Sequence, residues 1–426
     1  MDTIFALASA PGKAGVAVVR VSGPDAWRAA EYLAGHKPLP RMTSLRILKS
    51  PEGDFLDQAM LIAFEHGASF TGECVLELHL HGSIAVVKAV MRELARLPNH
   101  RLADPGEFTR RALENECLDL TQVEGLADLI DAETESQRKL AGSVLSGRLT
   151  DRVQSWRQSL ITAASLIEAT IDFVDEEVPV DVTDDVLGLL LDVQKELSQE
   201  LSGSQAAEQI RTGFEVAIVG PPNAGKSTLL NYLAGRDAAI TSDVAGTTRD
   251  VIEVRLEVKG FAVTFLDTAG LRDTDDPVER IGVQRARERA GDADIRIHLA
   301  NDERDLLMPV LPSDLVLKPK QDIAVPDGVS GKTGYGVDRL LEHISEVLSD
   351  RVSGAGLASH ERHRSSISRS LNSLQTALDQ LNSGSEQLDL VAEDIRVSAR
   401  HLEALVGKIN VEHLLDEIFS SFCIGK

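Results

Sequence analysis

Cysteine is scarce in this chain. Its 426 residues include three cysteines, Cys74, Cys117 and Cys423, far apart and without metal-ligand spacing. That argues against a disulfide framework and fits a reducing compartment. Positive charge is also short, with 44 Lys and Arg against 67 Asp and Glu and a net charge of −23. A global basic footprint for nucleic acid is therefore excluded, and any RNA contact must come from a local patch, a loop or a partner. No run of about 18 apolar residues occurs, so no membrane span is predicted. The stretch from Met1 to Pro11 lacks both a basic segment and a long apolar segment, so no secretory leader is predicted. A cytoplasmic location is the expectation. What is present, 43% hydrophobic and 26% charged residues, suits a soluble globular protein of two to four domains.

One stretch organises the rest. Phe214 to Leu230 reads FEVAIVGPPNAGKSTLL. Glu215 to Val219 has the pattern of a buried strand, Gly220 to Ser227 matches G-x-x-x-x-G-K-[ST], and an apolar helix follows. Strand, loop and helix in that order are the context a P-loop requires. Its glycines let backbone N–H groups face phosphate. Lys226 suits the β- and γ-phosphates, and the Ser227 hydroxyl suits Mg2+.

Before this stretch, strand and turn signals mix with helices up to about Glu116. Gly15 to Gly23 reads as a strand with Val16, Val18 and Arg20 on one face. Val75 to Gly82 reads as another, with Leu76, Leu78 and Leu80 on one face and Glu77, His79 and His81 on the other. Such a polar row is ordinarily a solvated face. Asp104 to Arg110 reads as a turn leading into a helix. Thr121-Gln-Val-Glu124 predicts a capping box. Leu145, Leu149, Val153, Trp156, Leu160, Ala164, Ile167 and Ile171 predict one long amphipathic helix ending near Asp172. Another helix follows, and Ser202-Gly-Ser204 predicts a loosening before Phe214. After about Val352 the helical period returns at Ile367, Leu371, Leu374, Leu378 and Leu381. Ser383-Gly-Ser385 breaks it, and Leu388–Val406 and Val411–Phe419 supply further helices. The simplest organisation is a helical domain in two halves with the P-loop domain inserted; separate helical domains are the alternative.

Three constellations follow the P-loop in the order of a GTPase. Thr241 to Asp250 lies where switch I belongs, with Thr248 the candidate to hold Mg2+ and sense the γ-phosphate. Two strands pair around Lys259-Gly260, and the second ends in Asp267-Thr-Ala-Gly270, a D-x-x-G element. A GTPase then expects N-K-x-D. Here the stretch is Pro319-Lys-Gln-Asp322, so Asp322 can accept from guanine while the Asn contact is lost, and Ser330-Gly-Lys332 supplies the next loop. Ala300 to Pro312 is short for a full helix. Leu271 stands where a Ras-like enzyme has its water-orienting Gln. Glu279 is the nearest replacement, although a carboxylate at a helix start is ordinarily a solvated group. Arg249 and Arg272 lie in switch segments, and surface ion pairs explain them equally well.

The chain resembles the tRNA-modifying GTPase family MnmE, also called TrmE, over essentially its whole length. The resemblance rests on Gly15 to Gly23, Phe70-Thr-Gly-Glu73, Leu76-Glu-Leu-His79, Pro105-Gly-Glu-Phe-Thr109, Leu118-Asp-Leu-Thr-Gln122, Gly246-Thr-Thr-Arg-Asp250 and the terminal Cys423-Ile-Gly-Lys426. It implies an α/β and α multi-domain fold. An N-terminal α/β domain, GcvT-like and spanning 1–118, would dimerise and bind 5-formyl-tetrahydrofolate or a related one-carbon folate. A discontinuous helical domain would span 119–211 and 353–426, and an inserted Ras-like G domain 212–352. The resemblance implies a homodimer, a heterotetramer with the flavoprotein MnmG (GidA), and tRNA as the joint substrate. Together the two proteins would place a carboxymethylaminomethyl group on carbon 5 of the wobble uridine, with K+ stimulating GTP hydrolysis as the G domains pair.

Residue by residue, the resemblance assigns GTP to Asn223, Ala224, Gly225, Lys226, Ser227 and Thr228, to Ser242, Asp243, Val244, Ala245, Gly246, Thr247 and Thr248, to Asp267, Thr268, Ala269 and Gly270, and to Asp322. Mg2+ would use Ser227 and Thr248. K+ would use Asn223, Ser242, Val244 and Thr247. Glu279 would position the water as the catalytic residue. Folate would use Arg20, Glu77, Cys117 (where relatives often carry Lys) and Lys426. Two other classes compete with this reading. A ribosome-assembly GTPase of the Era or Der kind would carry a KH-type module, for which the chain shows no G-x-x-G in a helix-turn-helix setting. A folate-binding protein with a decayed G domain is favoured only by Pro319.

Overall fold

The computed structural model describes residues 2–172, 182–236, 253–267, 288–323, 325–383 and 387–407, with 419, 422 and 425. The chain divides into two compact units, one of residues 1–127 and 403–426 and one of residues 128–402.

The first unit is built on a six-stranded sheet of order β3-β4-β5-β2-β1-β6. Its strands are β1 (Thr3–Leu7), β2 (Val16–Ser22), β3 (Ser44–Lys49), β4 (Phe55–Phe64), β5 (Val75–His81) and β6 (His100–Leu102). Only the β1–β6 pair is parallel. Alternation decides what each face does. Val19, Val21, Leu61, Leu76, Leu78 and Leu80 are buried in one core. Helices α1 (Ala26–Ala34) and α2 (Ile84–Leu94) bring Ala26, Ala29, Ala30, Leu33, Val90 and Leu94 into it. The opposite face carries Val18, Arg20, Glu77 and His79, and Leu45, Ile47, Met60 and Val16 stay exposed.

Motif residues on and around α3 (Glu107–Glu114) form an ion network. The Arg111 guanidinium donates to both Glu73 oxygens at 3.1 Å, to the Asp2 carboxylate at 2.8 Å and to Glu107 at 3.0 Å. Ser22 donates to Glu73 at 2.7 Å, and Arg101 donates to Glu107 at 2.6 and 2.8 Å. Arg111 and Glu73 are buried, so each needs the other: a buried charge without a partner is costly. Burial alone would raise the Glu107 pKa, but bonds from Arg101, the Asp104 amide and Arg111 outweigh it and hold the carboxyl below its ordinary value.

The capping box lies two residues earlier than the sequence suggests. Helix α4 spans Leu120–Asp131. Asp119 accepts from the Gln122 amide at 3.0 Å, and the Gln122 side chain accepts from the Asp119 amide at 3.0 Å. Thr121 sits buried inside the first turn and donates to Asp119 at 2.7 Å. Phe419 and Phe422 pack with Val123 in a small cluster. No helix among the described residues is long and apolar enough to cross a membrane.

In the second unit, helices α5 (Glu135–Leu145), α6 (Arg148–Asp172) and α7 (Thr183–Thr212) precede the P-loop. Leu145 therefore ends α5 rather than starting α6, because Gly147 breaks the chain at φ 85°. Leu149, Val153, Trp156, Leu160, Ala164 and Ile167 are buried along α6, and the Trp156 indole donates to Glu196 of α7 at 2.7 Å. The predicted loosening at Ser202-Gly-Ser204 does not occur, since α7 is continuous there. Gly203 marks a close crossing instead: a Cβ there would stand 2.5 Å from the Gly354 carbonyl oxygen. Glu200, also buried, accepts from the backbone amides of Leu357 and Ala358 and from Arg152. The later helices span Glu361–Asn382 and Leu388–Leu405.

Between the helices lies the second sheet, of order β12-β11-β10-β7-β9-β8. It comprises β7 (Phe214–Val219), β8 (Glu253–Val258), β9 (Phe261–Asp267), β10 (Ile295–Leu299), β11 (Leu315–Pro319) and β12 (Gly328–Val329). All its pairs are parallel except the β8–β9 hairpin, which turns at Lys259-Gly260. Between β10 and β11 the chain forms only a 3-10 turn, Glu303–Asp305. The Ile295, Ile297 and Leu299 face of β10 joins the core, while Arg296 and His298 turn the other way onto Asp314, at 3.0 and 3.2 Å.

The Glu107 network generates a pH prediction. A depressed carboxylate pKa contributes stability that is full above the ordinary value of 4.5 and is lost as pH falls through the depressed one. Glu107→Gln should lower Tm at pH 7 by roughly 3–10 °C and flatten the acid limb below about pH 4.5. Thermal unfolding from pH 7 to pH 3 checks this, and an unchanged acid limb would refute it.

Candidate nucleotide-binding site

Strand β7 is the centre of the site. Val216, Ala217, Ile218 and Val219 are fully buried, with β9 and β10 as parallel neighbours. The strand delivers Gly220 at its C-terminal edge, where open parallel sheets bind ligands. The loop then turns through Asn223 at φ 62° and Gly225 at φ 99°, and α8 (Lys226–Ala234) begins at once. An L side chain at 225 would be strained in that conformation, so glycine is required. The amides of the first helical turn are left for an anion.

The described loop residues form a cleft of about 420 Å³ whose lining includes Asn223, Ala224, Gly225, Lys226, Ser227 and Thr228. Lys226 is buried, and its Nζ donates to the carbonyls of Gly220 at 2.7 Å and Pro221 at 3.1 Å. Those contacts hold the ammonium inside the loop. The Ser227 hydroxyl donates to Asp267 Oδ2 at 2.7 Å. The last residue of β9 and the first turn of α8 thus place a hydroxyl and a carboxylate side by side. That all-oxygen pair suits a hard divalent cation such as Mg2+.

A second pocket of about 270 Å³ adjoins the first through Ala224, Gly225, Thr228 and Lys320. Its lining includes Pro319, Asp322, Val329 and Ser330. Asp322 Oδ1 accepts from the Ser330 hydroxyl at 2.7 Å. The Ser330 oxygen accepts in turn from the amides of Lys332 and Thr333 at 3.2 Å. A larger cleft of about 540 Å³, lined by Asp128, Glu133, Gln137 and Arg255 among others, contains no part of the P-loop. Chemistry rather than size locates the nucleotide.

Ser242, Asp243, Val244, Ala245, Gly246, Thr247 and Thr248 lie outside the described residues, as do Thr268, Ala269, Gly270, Leu271 and Glu279.

The folate candidates belong to the first unit. Arg20 and Glu77 are cross-strand partners on β2 and β5. The Arg20 Nε donates to Glu77 Oε1 at 3.0 Å, and His79 Nε2 stands 3.4 Å from Glu77 Oε2. The guanidinium lies 5.6 Å from the Phe70 ring centroid and 5.8 Å from that of Phe108. Cys117 is exposed, with its Sγ beside Gly72. Lys426 and Cys423 lie outside the described residues, while Gly425 lies against the Leu7 carbonyl. Sequence reasoning missed Phe70 as a neighbour of Arg20. The alternation and the Phe70-Thr-Gly-Glu73 motif carried the signal, but only the strand register joins them.

The chain matches known families over nearly its full length. Residues 3–117 match the family model of the GTP-binding protein TrmE N-terminus, and residues 120–423 match that of the MnmE helical domain. It is similar to the tRNA modification GTPase MnmE of Roseobacter denitrificans, 57% identical over 428 residues, and of Ruegeria pomeroyi, 56% identical over 429 residues, in each case over 100% of both chains. The tRNA modification GTPase MnmE of Cereibacter sphaeroides is 54% identical over 429 residues, again over 100% of both chains.

The Ser227–Asp267 pair makes a testable statement. Asp267→Asn keeps a partner for the Ser227 hydroxyl and removes the negative charge. It should raise the Mg2+ concentration needed for half-maximal nucleotide hydrolysis roughly 10–100-fold with little change in Tm. A Mg2+ titration of phosphate release measures this, and an unshifted midpoint would remove Asp267 from the metal's surroundings.

Proposed function

The chain belongs to the MnmE family of tRNA modification GTPases, and from that premise we propose that its GTP cycle drives modification of the wobble uridine. It is a GTP hydrolase acting in tRNA modification. With MnmG (GidA) it adds a carboxymethylaminomethyl group to carbon 5 of that base in certain tRNAs. The observation that carries this reading is the adjacency of a P-loop cleft, a Ser227–Asp267 oxygen pair and an Asp322-bearing pocket that shares lining residues with the P-loop cleft.

In this cleft Lys226 and the amides at the start of α8 hold the β- and γ-phosphates. Ser227 and Thr248 would hold Mg2+, which would supply charge neutralisation for the phosphates. Asn223, Ser242, Val244 and Thr247 would hold K+, each having an oxygen to offer. Ser242, Asp243, Val244, Ala245, Gly246 and Thr247, with Thr268, Ala269 and Gly270, are assigned to the nucleotide by the family resemblance. Glu279 positions the attacking water, because Leu271 can neither donate nor accept a hydrogen bond. Asp322 receives the base.

The division into residues 1–118, 119–211 with 353–426, and 212–352 is part of the same proposal. Its N-terminal part forms the homodimer, supported by the exposed Leu45, Ile47, Met60 and Val16 on the sheet face opposite α1 and α2. The same face bears Arg20 and Glu77, which with Cys117 and Lys426 would receive a formyl-tetrahydrofolate. The contact of Gly425 with Leu7, on the strand next to β2, supports Lys426 in that role. With a net charge of −23, the chain leaves most tRNA contact to the MnmG partner in a cytoplasmic heterotetramer.

The deciding measurement is steady-state phosphate release from GTP in matched KCl and NaCl. K+ in the position of an arginine finger should accelerate turnover at least about tenfold, since such a charge is worth roughly 10³–10⁵. Equal rates in both salts would remove the K+ assignment at Asn223. An absence of turnover with GTP would leave a folate-binding scaffold with a decayed G domain. Intact wobble modification in a deletion strain would overturn the tRNA role.

A further inference from the structure

The base end of the cleft is unusual in its chemistry. Pro319 is the last residue of β11, at the position where a GTPase motif carries Asn. The backbone explains why the sheet accepts proline there. Leu299–Leu317 is the last β10–β11 pair. On the β12 side the amides of Lys318 and Gln321 donate to Asp327 and Val329, at 2.7 and 3.2 Å, and bracket residue 319. No ladder bond falls on the missing N–H.

The pocket that Pro319 lines has one anionic side chain among its described lining residues, Asp322. A carboxylate only accepts hydrogen bonds. Asp322 therefore suits the donor edge of guanine, the N1–H and the 2-amino group. The acceptors O6 and N7 lie on the other edge of the base. The Pro319 side chain offers that edge neither donor nor acceptor, and Leu299 and Val329 add apolar surface, so the side-chain donors left in the described lining are those of Thr228, Lys320 and Lys332. The Ser330 hydroxyl is already committed to Asp322. The Lys320 stem lies over the P-loop, with its Cγ 3.8 Å from where a Cβ on Gly225 would stand.

We propose that this protein selects guanine through its N1–H and 2-amino edge at Asp322, and that Pro319 leaves N7 unread. Its ligand class is then a purine nucleotide with that donor edge, whatever atom stands at position 7. The proposal rests on the GTPase reading and deepens it.

The test uses the full-length protein and displacement of a ribose-labelled fluorescent GDP. GTP and 7-deaza-GTP, in which C–H replaces N7, should displace it with affinities within about twofold. Inosine triphosphate, which lacks the 2-amino group, should bind roughly three- to tenfold more weakly than GTP, the worth of one hydrogen bond. Pro319→Asn should tighten GTP roughly three- to tenfold and leave 7-deaza-GTP unchanged. A wild-type preference for GTP over 7-deaza-GTP of about tenfold or more would overturn the proposal, because some other donor would then read N7. That wild-type comparison decides the matter even where Pro319→Asn fails to fold. If the labelled GDP does not bind, the GTPase reading itself falls. That outcome is distinct from a GTP preference, which leaves the GTPase reading standing.

Discussion

Backbone amides can face a phosphate only where no side chain stands before them and no helix turn uses them. That requirement fixes the geometry from Gly220 to Ser227. The left-handed residues at Asn223 and Gly225 turn the chain, and α8 starts without a side-chain cap, so its first amides stay available. A loop of this kind keeps its shape only on a rigid base. Strand β7 supplies one because its Val216 to Val219 run is buried between two parallel neighbours. The remaining parts of the cleft depend on the same sheet. The end of β9 brings Asp267 to Ser227, and the end of β11 brings Pro319 and Asp322 to the second pocket. The P-loop, the Ser227–Asp267 pair and the Asp322 pocket share one edge because the parallel strands all end there.

The first unit separates structural charges from chargeable surface. Glu73 and Glu107 lie within shared motifs, and with Arg111 they are consumed in mutual ion pairs. Arg20 and Glu77 also pair with each other, on the face opposite α1 and α2, where the Phe108 ring of α3 flanks the guanidinium. Desolvation makes the difference. A buried network resists exchange of partners more strongly than a pair that keeps some contact with solvent.

Much of this was legible in the sequence, for identifiable reasons. The P-loop, the Lys259-Gly260 hairpin and the faces of β2 and β5 are local patterns, and local patterns survive folding. The Arg20–Glu77 pairing spans 57 residues and follows only from strand register. The cap at Asp119 was displaced because Thr121 and Asp119 both suit an N-cap, and packing of Thr121 into the core chose between them. Gly203 was misread because composition does not distinguish a glycine that breaks a helix from one that admits a crossing backbone. Gly147, by contrast, does break the helical run, so that α6 starts at Arg148. The short path from Ala300 to Pro312 was legible from length alone, and the structure fills it with one 3-10 turn.

Helix α7 has a mechanical consequence. Its 30 residues make a rod about 45 Å long, and only Gly213 separates it from β7. Gln137 binds the Arg211 carbonyl at 3.0 Å, Gln209 binds Asp294 at 2.8 Å, and the Arg211 guanidinium binds the Ser359 carbonyl at 3.0 Å. All three clamps grip the last turn of the rod, so they define a fulcrum beside the P-loop strand. A rotation of about 10° at that fulcrum carries the distant end of the rod roughly 8 Å. The helix is thus a lever arm, and its length converts angular change at the sheet into linear travel far from the nucleotide.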